Sequence, residues 1–425
     1  MLVWFLFLLP FLPTLTVSET PVSFVRVGAF FLVFLWILRS FLNKKLFLPL
    51  SFPSLFLATF IFFSATSILW AINPVLAVRK ELLWLSIFPL SVVFWQNIYS
   101  EQETKKSKLK FYLWEAVILS SGVIGFLAIV QFAAQFIIGY ETVNSFLVKN
   151  ITPIFVGTPT AEIISQNSSW FVNIEGQTIM RSVVNFPDPH TLALFLGLTL
   201  PFAIIAAISN VQKRFLYGII SGLILSGLLL TFSRGAYIAL VFSFISLIPF
   251  VGYKFKNRKA GIILMVMIIS FLFLGQPIIS RFISSFDAAE GSNAGRILIW
   301  QNAIEVFKQN PVIGVGVGNY PLTQDEFISS RSPINAHNTY LEIVTELGLS
   351  GLLLWLGMLT SALWLLFRNA KNNSLALAAL GGLVFFATHG FFETIIYSPH
   401  NLVLLSFILG IAFDDYNKNK QQTTL

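Results

Sequence analysis

Apolar runs of about 20 residues, the length that crosses a bilayer, recur along nearly the whole of this 425-residue chain. In lipid a backbone must satisfy its own hydrogen bonds, which leaves only helices and closed barrels. The runs are continuously apolar and do not alternate, so the barrel is excluded. Charged residues make up 11% of the chain, against roughly 25% in soluble domains, and the mean hydropathy is +0.79. The expected fold is therefore an all-α polytopic membrane protein of about twelve transmembrane helices with two larger periplasmic segments. The expected spans are 1–17, 22–42, 48–70, 80–98, 111–139, 189–208, 215–232, 235–252, 259–277, 349–368, 374–392 and 399–413. The segment from Met1 to Thr16 has no basic start and no cleavage site of small residues, so it reads as a first span that stays.

The net charge of +8 points first to nucleic acid or a membrane surface. Position decides between them. Arg39 and Lys44, Lys105 to Lys110, Lys213 and Arg214, Lys254 to Lys259, Arg368 and Lys371, and the tail Lys418 and Lys420 all fall in alternate short loops. Membrane insertion requires this pattern, so these loops and both termini are expected in the cytoplasm, and no nucleic acid partner is implied. The chain has no cysteine, which excludes disulfides and thiolate metal sites. Asp414-Asp415 falls at the cytoplasmic end and reads as solvated.

This topology divides the chain into helices 1–5 over 1–139, an outer segment at 140–188, helices 6–9 over 189–277, a second outer segment at 278–348, and helices 10–12 with the tail over 349–425. Loops of that length usually carry function or form small subdomains. In the second, the run from Arg296 to Lys308 places Ile297, Trp300, Ile304 and Phe307 along one helix face, suited to the membrane surface or to roofing the bundle. Gly314-Val-Gly-Val-Gly318 follows as a turn, because no strand precedes it to make a phosphate cradle.

Residues that could carry chemistry gather on the outer side. Thr231-Phe-Ser-Arg-Gly-Ala236 joins two spans with almost no loop and holds Arg234 at the outer surface, where insertion does not call for a cation; it reads as holding an anionic ligand, the alternative being snorkelling to lipid phosphates or a structural ion pair. Arg181 precedes Phe186-Pro-Asp-Pro-His190, whose prolines fix an extended entry to the next span. Guanidinium forks suit phosphate oxygens, and two of them fit a diphosphate; the competing reading pairs Arg181 with Asp188. Arg79 opens another span on the same side as a third contact or an internal ion pair. His337 stands at the start of a helix that ends near Gly348, capped by Asn335 or by a box of Thr339 and Glu342. A neutral imidazole there can accept a proton from a hydroxyl; a histidine bonded to its own loop is the equal alternative. His190, His389 and His400 also lie near outer span ends, but no pair has the spacing of a helical zinc site.

These residues resemble the O-antigen ligase and polymerase family. The resemblance rests on Thr231 through Leu240, Ala336 through Gly351, Gly295 through Trp300 with Gly314 through Asn319, and Arg181 through Leu194. It covers about 180–360. Where the family often has Asn-Pro-Asn, this chain reads Asp188-Pro189-His190. The resemblance implies a metal-independent, inverting membrane glycosyltransferase of the inner membrane, without a cofactor or nucleotide sugar. It would move a glycan from undecaprenyl diphosphate to an acceptor hydroxyl on the periplasmic face. The acceptor is lipid A–core or another glycan or protein in the ligase branch, and a second lipid-linked repeat in the polymerase branch. It further implies that Arg181, Arg234 and Arg79 hold the diphosphate and that His337 activates the acceptor, with Arg296, Asn338 and Glu342 in support. A secondary transporter is the reading from a different class, but transporters place their polar sites near the membrane midplane.

Overall fold

The computed structural model describes residues 1–17, 20–44, 46–99, 103–165, 168–174, 176–254, 291–324 and 335–414. The N-terminal helices are α1 (Leu2–Leu8), α2 (Phe24–Leu42), α3 (Phe52–Thr66), α4 (Pro74–Ile87), α5 (Leu90–Tyr99) and α6 (Glu103–Ile138). Three short helices follow, α7 (Tyr140–Phe146), α8 (Thr152–Val156) and α9 (Thr158–Ser165). Then come α10 (Pro189–Ser209), α11 (Arg214–Leu229), α12 (Arg234–Lys254), α13 (Gly291–Gln309), α14 (Thr339–Ala370), α15 (Ser374–His389) and α16 (Pro399–Ala412). Among the described residues, six helical segments are long and apolar enough to cross a membrane, and five shorter apolar helices accompany them. The chain is thus a largely helical, polytopic membrane protein. Each expected span within the described residues contains helix, with 80–98 divided between α4 and α5; the one at 259–277 lies outside the described residues.

The first expected span is shorter than read. After α1 the chain makes one tight turn to Phe11 and then enters strand β1 (Thr14–Val17), paired antiparallel with β2 (Thr20–Ser23). Pro10 and Pro13 break the helix, and β-branched Thr14, Thr16 and Val17 favour the strand. A second hairpin, β3 (Phe171–Ile174) with β4 (Gln177–Met180), lies in the segment before α10. That segment packs a small core of its own around Val143, Leu147, Trp170 and Met180. Asp414 is buried, not solvated.

At the centre α10 is buried along almost its whole length, between α6, α11 and α15. α12 and α14 pack on α15, and α3 packs on α14. Lys213 pairs with Glu115 at 2.6 Å at the end of the bundle where α10 finishes. The opposite end, where α10, α12, α14 and α16 begin, holds the polar residues of interest.

α14 is two helices joined at a kink. Gly348 interrupts it at φ 64°, ψ −169°, a region essentially reserved for glycine. A Cβ there would stand 2.3 Å from the Val312 carbonyl. The break lets Leu349 N–H bond to Pro311 O at 2.8 Å, and lets Val315 and Gly316 N–H bond to Thr345 O and Glu346 O at 3.0 and 2.9 Å. The glycine-rich turn is therefore clamped against the first half of α14, with its amides used inside the protein. Gly348→Ala is expected to destabilise the protein by more than about 1 kcal/mol, read as a lower midpoint of thermal unfolding in detergent. Gly218→Ala, where nothing lies within 4 Å of the added methyl, should leave it unchanged or raise it.

Candidate active site

Glu393 is the hub. It lies in the connection between α15 and α16, with a side chain only 10% exposed. Its Oε2 meets His337 Nδ1 at 2.8 Å. Its Oε1 forms an ion pair with Arg296 of α13 and lies 3.3 Å from His190 Nδ1. His190 Nδ1 also lies 3.0 Å from Ser233 Oγ, in the tight connection between α11 and α12. One carboxylate thus joins four parts of the chain that are distant in sequence. Burial works against its ionisation, but His190, Arg296 and His337 outweigh that and hold the carboxyl well below its ordinary range.

His337 is held in an unusual way. Its backbone is left-handed at φ 48°, which is uncommon outside glycine. The next residue, Asn338, caps α14: its side chain accepts from Tyr340 and Leu341 N–H at 3.0 and 3.1 Å. Neither Asn335 nor Thr339 is the cap, because the left-handed turn at His337 puts Asn338 at the helix mouth. Glu342 does not close a capping box but reaches further back, accepting from Ala336 N–H at 2.6 Å and from Thr394 Oγ1 at 3.2 Å. It therefore ties the His337 loop to the Glu393 loop. Thr339 Oγ1 adds a bond to Glu393 O at 2.8 Å. With Nδ1–H donating to the carboxylate, Nε2 of His337 is the acceptor nitrogen. The imidazole is 39% exposed, so a substrate hydroxyl can reach it.

The other connections are also under strain. Val184 and Phe232 take φ 54° and 49°, and for a β-branched residue that is a genuine outlier. Such strain persists where surrounding structure over-determines it, and it collects at functional sites. Gln131 Oε1 accepts from Val183 and Val184 N–H at 2.9 and 2.7 Å, and Tyr237 Oη donates to Leu229 O at 2.5 Å. Gly235 lets α12 press on the Glu393 connection, since a Cβ there would sit 2.5 Å from Phe392.

The arginines do not behave alike. Arg234 opens α12 beside Ser233 and is partly buried. Arg181 is only 4% exposed. It donates from Nε to Thr231 O at 2.6 Å and from one terminal nitrogen to Ser169 O at 2.9 Å. It stands close enough to His190 for their charges to interact. Asp188 is the N-cap of α10, accepting from His190 and Thr191 N–H at 2.8 Å each. The pairing of Arg181 with Asp188 gives way to these bonds. Arg79 is exposed on α4 and makes none of the contacts of the cluster. Its neighbour Lys80 turns inward instead, over the Tyr397 ring at 3.0 Å.

The expected helix after Gly295 is present as α13. Ile299, Ala303 and Val306 are buried, while Ile297 and Ile304 are exposed, as suits the membrane surface. The ion pair of Arg296 with Glu393 and the bond from Trp300 Nε1 to Ala336 O at 3.0 Å fix this orientation. His190 joins the cluster although it departs from the family pattern. Glu393 is the functional residue that motif reading overlooks. The available signal is a lone carboxylate in a short connection between two very apolar helices, flanked by His389 and His400, which membrane insertion does not explain. Among the described residues no group of histidines and carboxylates could hold a metal ion.

The O-antigen ligase family model matches residues 219–356. The chain is also similar to the exopolysaccharide production protein ExoQ of Rhizobium meliloti, 33% identical over 132 residues. That match spans 27% of this chain and about 30% of the length of the curated relative. The family match takes in Arg234, Arg296 and His337 and stops short of Arg181 and Glu393. Through residues 219–356 the chain is thus similar to the O-antigen ligase family.

Proposed function

We propose that the protein transfers a glycan from a polyprenyl diphosphate to an acceptor hydroxyl, at the end of the bundle where His337 and Glu393 meet. The observation that carries this is the 2.8 Å contact from His337 Nδ1 to Glu393, with the imidazole still exposed. In this reaction the acceptor O–H gives its proton to His337 Nε2. Its oxygen bonds to the anomeric carbon as the bond from that carbon to the diphosphate oxygen breaks, with inversion. The diphosphate leaves as an anion, so it needs positive charge and no proton. Arg234 supplies that charge, and Arg181 holds the Thr231 carbonyl beneath it. Asn338 and Glu342 support the His337 turn, and Arg296 supports Glu393. The positions of the basic loops support the reading in which this end of the bundle lies on the periplasmic side of the inner membrane, with both termini in the cytoplasm.

Two acceptors fit this chemistry: lipid A–core or a similar acceptor, and a second lipid-linked repeat. The exopolysaccharide relative favours the second. Purified protein given undecaprenyl-diphosphate-linked glycan and each acceptor separates them. Longer chains still on the lipid carrier identify a polymerase, and glycan moved to the other acceptor identifies a ligase. No transfer to any acceptor overturns the proposal. Arg234→Ala should lower transfer by about 10²–10³-fold, the cost of losing one charge-stabilising donor, and most strongly at low donor concentration. Full activity of this variant would remove Arg234 from the diphosphate site.

A further inference from the structure

α13 has a second face. Beside it runs a groove of about 970 Å³ that the catalytic cluster does not use. One wall is built by Gln301, Asn302, Glu305 and Gln309 of α13, with Asn310 just beyond its end. These positions recur on one side of a helix. Trp70, from the connection between α3 and α4, stands in the lining, its Nε1 donating to Ile313 O at 3.3 Å. The groove therefore combines an indole and the apolar Ile72, Leu298, Val306, Ile313 and Val315 with four side-chain amides and one carboxylate. Among the described residues, no lysine, arginine or histidine lines it. Asn302 Oδ1 is buried and makes no hydrogen bond among the described residues, which is costly unless a ligand or water supplies the donor.

That composition selects among ligands. A phosphate or a polyanion needs cations, and here it would meet only Glu305. An acyl chain would strand the amides without partners. A sugar ring answers each feature: its C–H face suits an indole, and its hydroxyls both give to and accept from amides and carboxylates. Position agrees with chemistry. Arg296, two residues before the first groove residue Leu298, is bound to Glu393. At about 1.5 Å of rise per residue, α13 from Arg296 to Gln309 extends roughly 20 Å, so a chain lying in the groove would end beside the cluster. We propose that this groove binds an uncharged, hydroxyl-rich segment of a glycan and aligns it with His337, an inference that rests on the glycosyl-transfer reading above.

The test uses the full-length protein in lipid nanodiscs, free of sugar-headed detergent. The probe is the water-soluble glycan released by mild acid from the lipid-linked pool of cells that make the protein. Its binding is followed by calorimetry. Wild type and His337→Ala are expected to bind equally, whereas Trp70→Ala should bind at least about tenfold more weakly, the loss expected for one ring contact. Asn302→Ala should also weaken binding and serves as the second variant should Trp70→Ala fail to fold. Equal affinity in all four proteins, or no binding by wild type at millimolar glycan, overturns the proposal. So does loss of binding in His337→Ala, which would place the glycan at the cluster. Binding that depends on Trp70 without transfer to any acceptor would keep the groove and discard the transferase.

Discussion

His337→Ala is expected to lower glycan transfer by about 10²–10⁴-fold, the usual contribution of a positioned general base, with little change in the thermal midpoint. The imidazole is partly exposed and its removal leaves no cavity in the apolar core. It removes one partner of Glu393, but the ion pair with Arg296 remains, Asn338 still caps α14 and Glu342 still binds Ala336 N–H. His337→Asn is the sharper variant. Asparagine tolerates the left-handed backbone seen at φ 48°, and its amide can donate to Glu393, but it cannot take a proton. Single-turnover rates at saturating donor would isolate the chemical step from binding. If His337→Asn keeps more than about a tenth of the wild-type rate, the gain from a general base is not being drawn from this residue.

How much of this was legible beforehand follows from contrast. Long apolar runs broken by basic loops specify where helices lie, so most spans within the described residues are found near their observed positions, whereas the first ends early and α14 starts ten residues sooner than read. His337, Arg234 and Arg296 stand out because a charge or imidazole in such surroundings needs a reason. What pairs with them is a different kind of information. Glu393 is about 56 residues from His337 in the chain, and no local pattern brings them together; only the packing of α14 on α15 does. The orientation of α13 is information of the same kind. Periodicity groups Ile297 and Ile304 on one face and leaves open whether that face meets the membrane surface or the bundle; one ion pair from Arg296 and one bond from Trp300 turn the opposite face inward. Local rules place elements; tertiary hydrogen bonds to buried charges aim them. The first hairpin is an intermediate case, where the prolines were visible but the overall apolarity of the segment dominated the reading.

Glu393→Gln should be nearly as damaging as loss of His337, by on the order of 10²–10⁴-fold in kcat with KM little changed. A glutamine keeps the shape and can still accept from Arg296. It can also turn its NH₂ group to His337 Nδ1, which moves the ring proton to Nε2 and leaves no base facing the acceptor. If Glu393 acts through His337, adding Glu393→Gln to His337→Ala should cost little more, and a further large drop in the double variant would show an independent role. Stability distinguishes the substitutions. Glu393→Ala leaves Arg296 without its partner in a largely buried site, a loss of about 3–5 kcal/mol. Glu393→Gln should lose less. The pH dependence has a definite sign. The folded carboxyl is held well below its ordinary value of 4.5, so the native state binds this proton less readily than the unfolded chain does. Its contribution is complete above about pH 4.5 and is lost as the pH falls through the depressed value. The gap in thermal midpoint between wild type and Glu393→Gln should therefore be widest at neutral pH and should close only in acid. A gap that stays constant from neutral to strongly acid pH would mean that the charge of Glu393 is not what holds Arg296, His190 and His337 together.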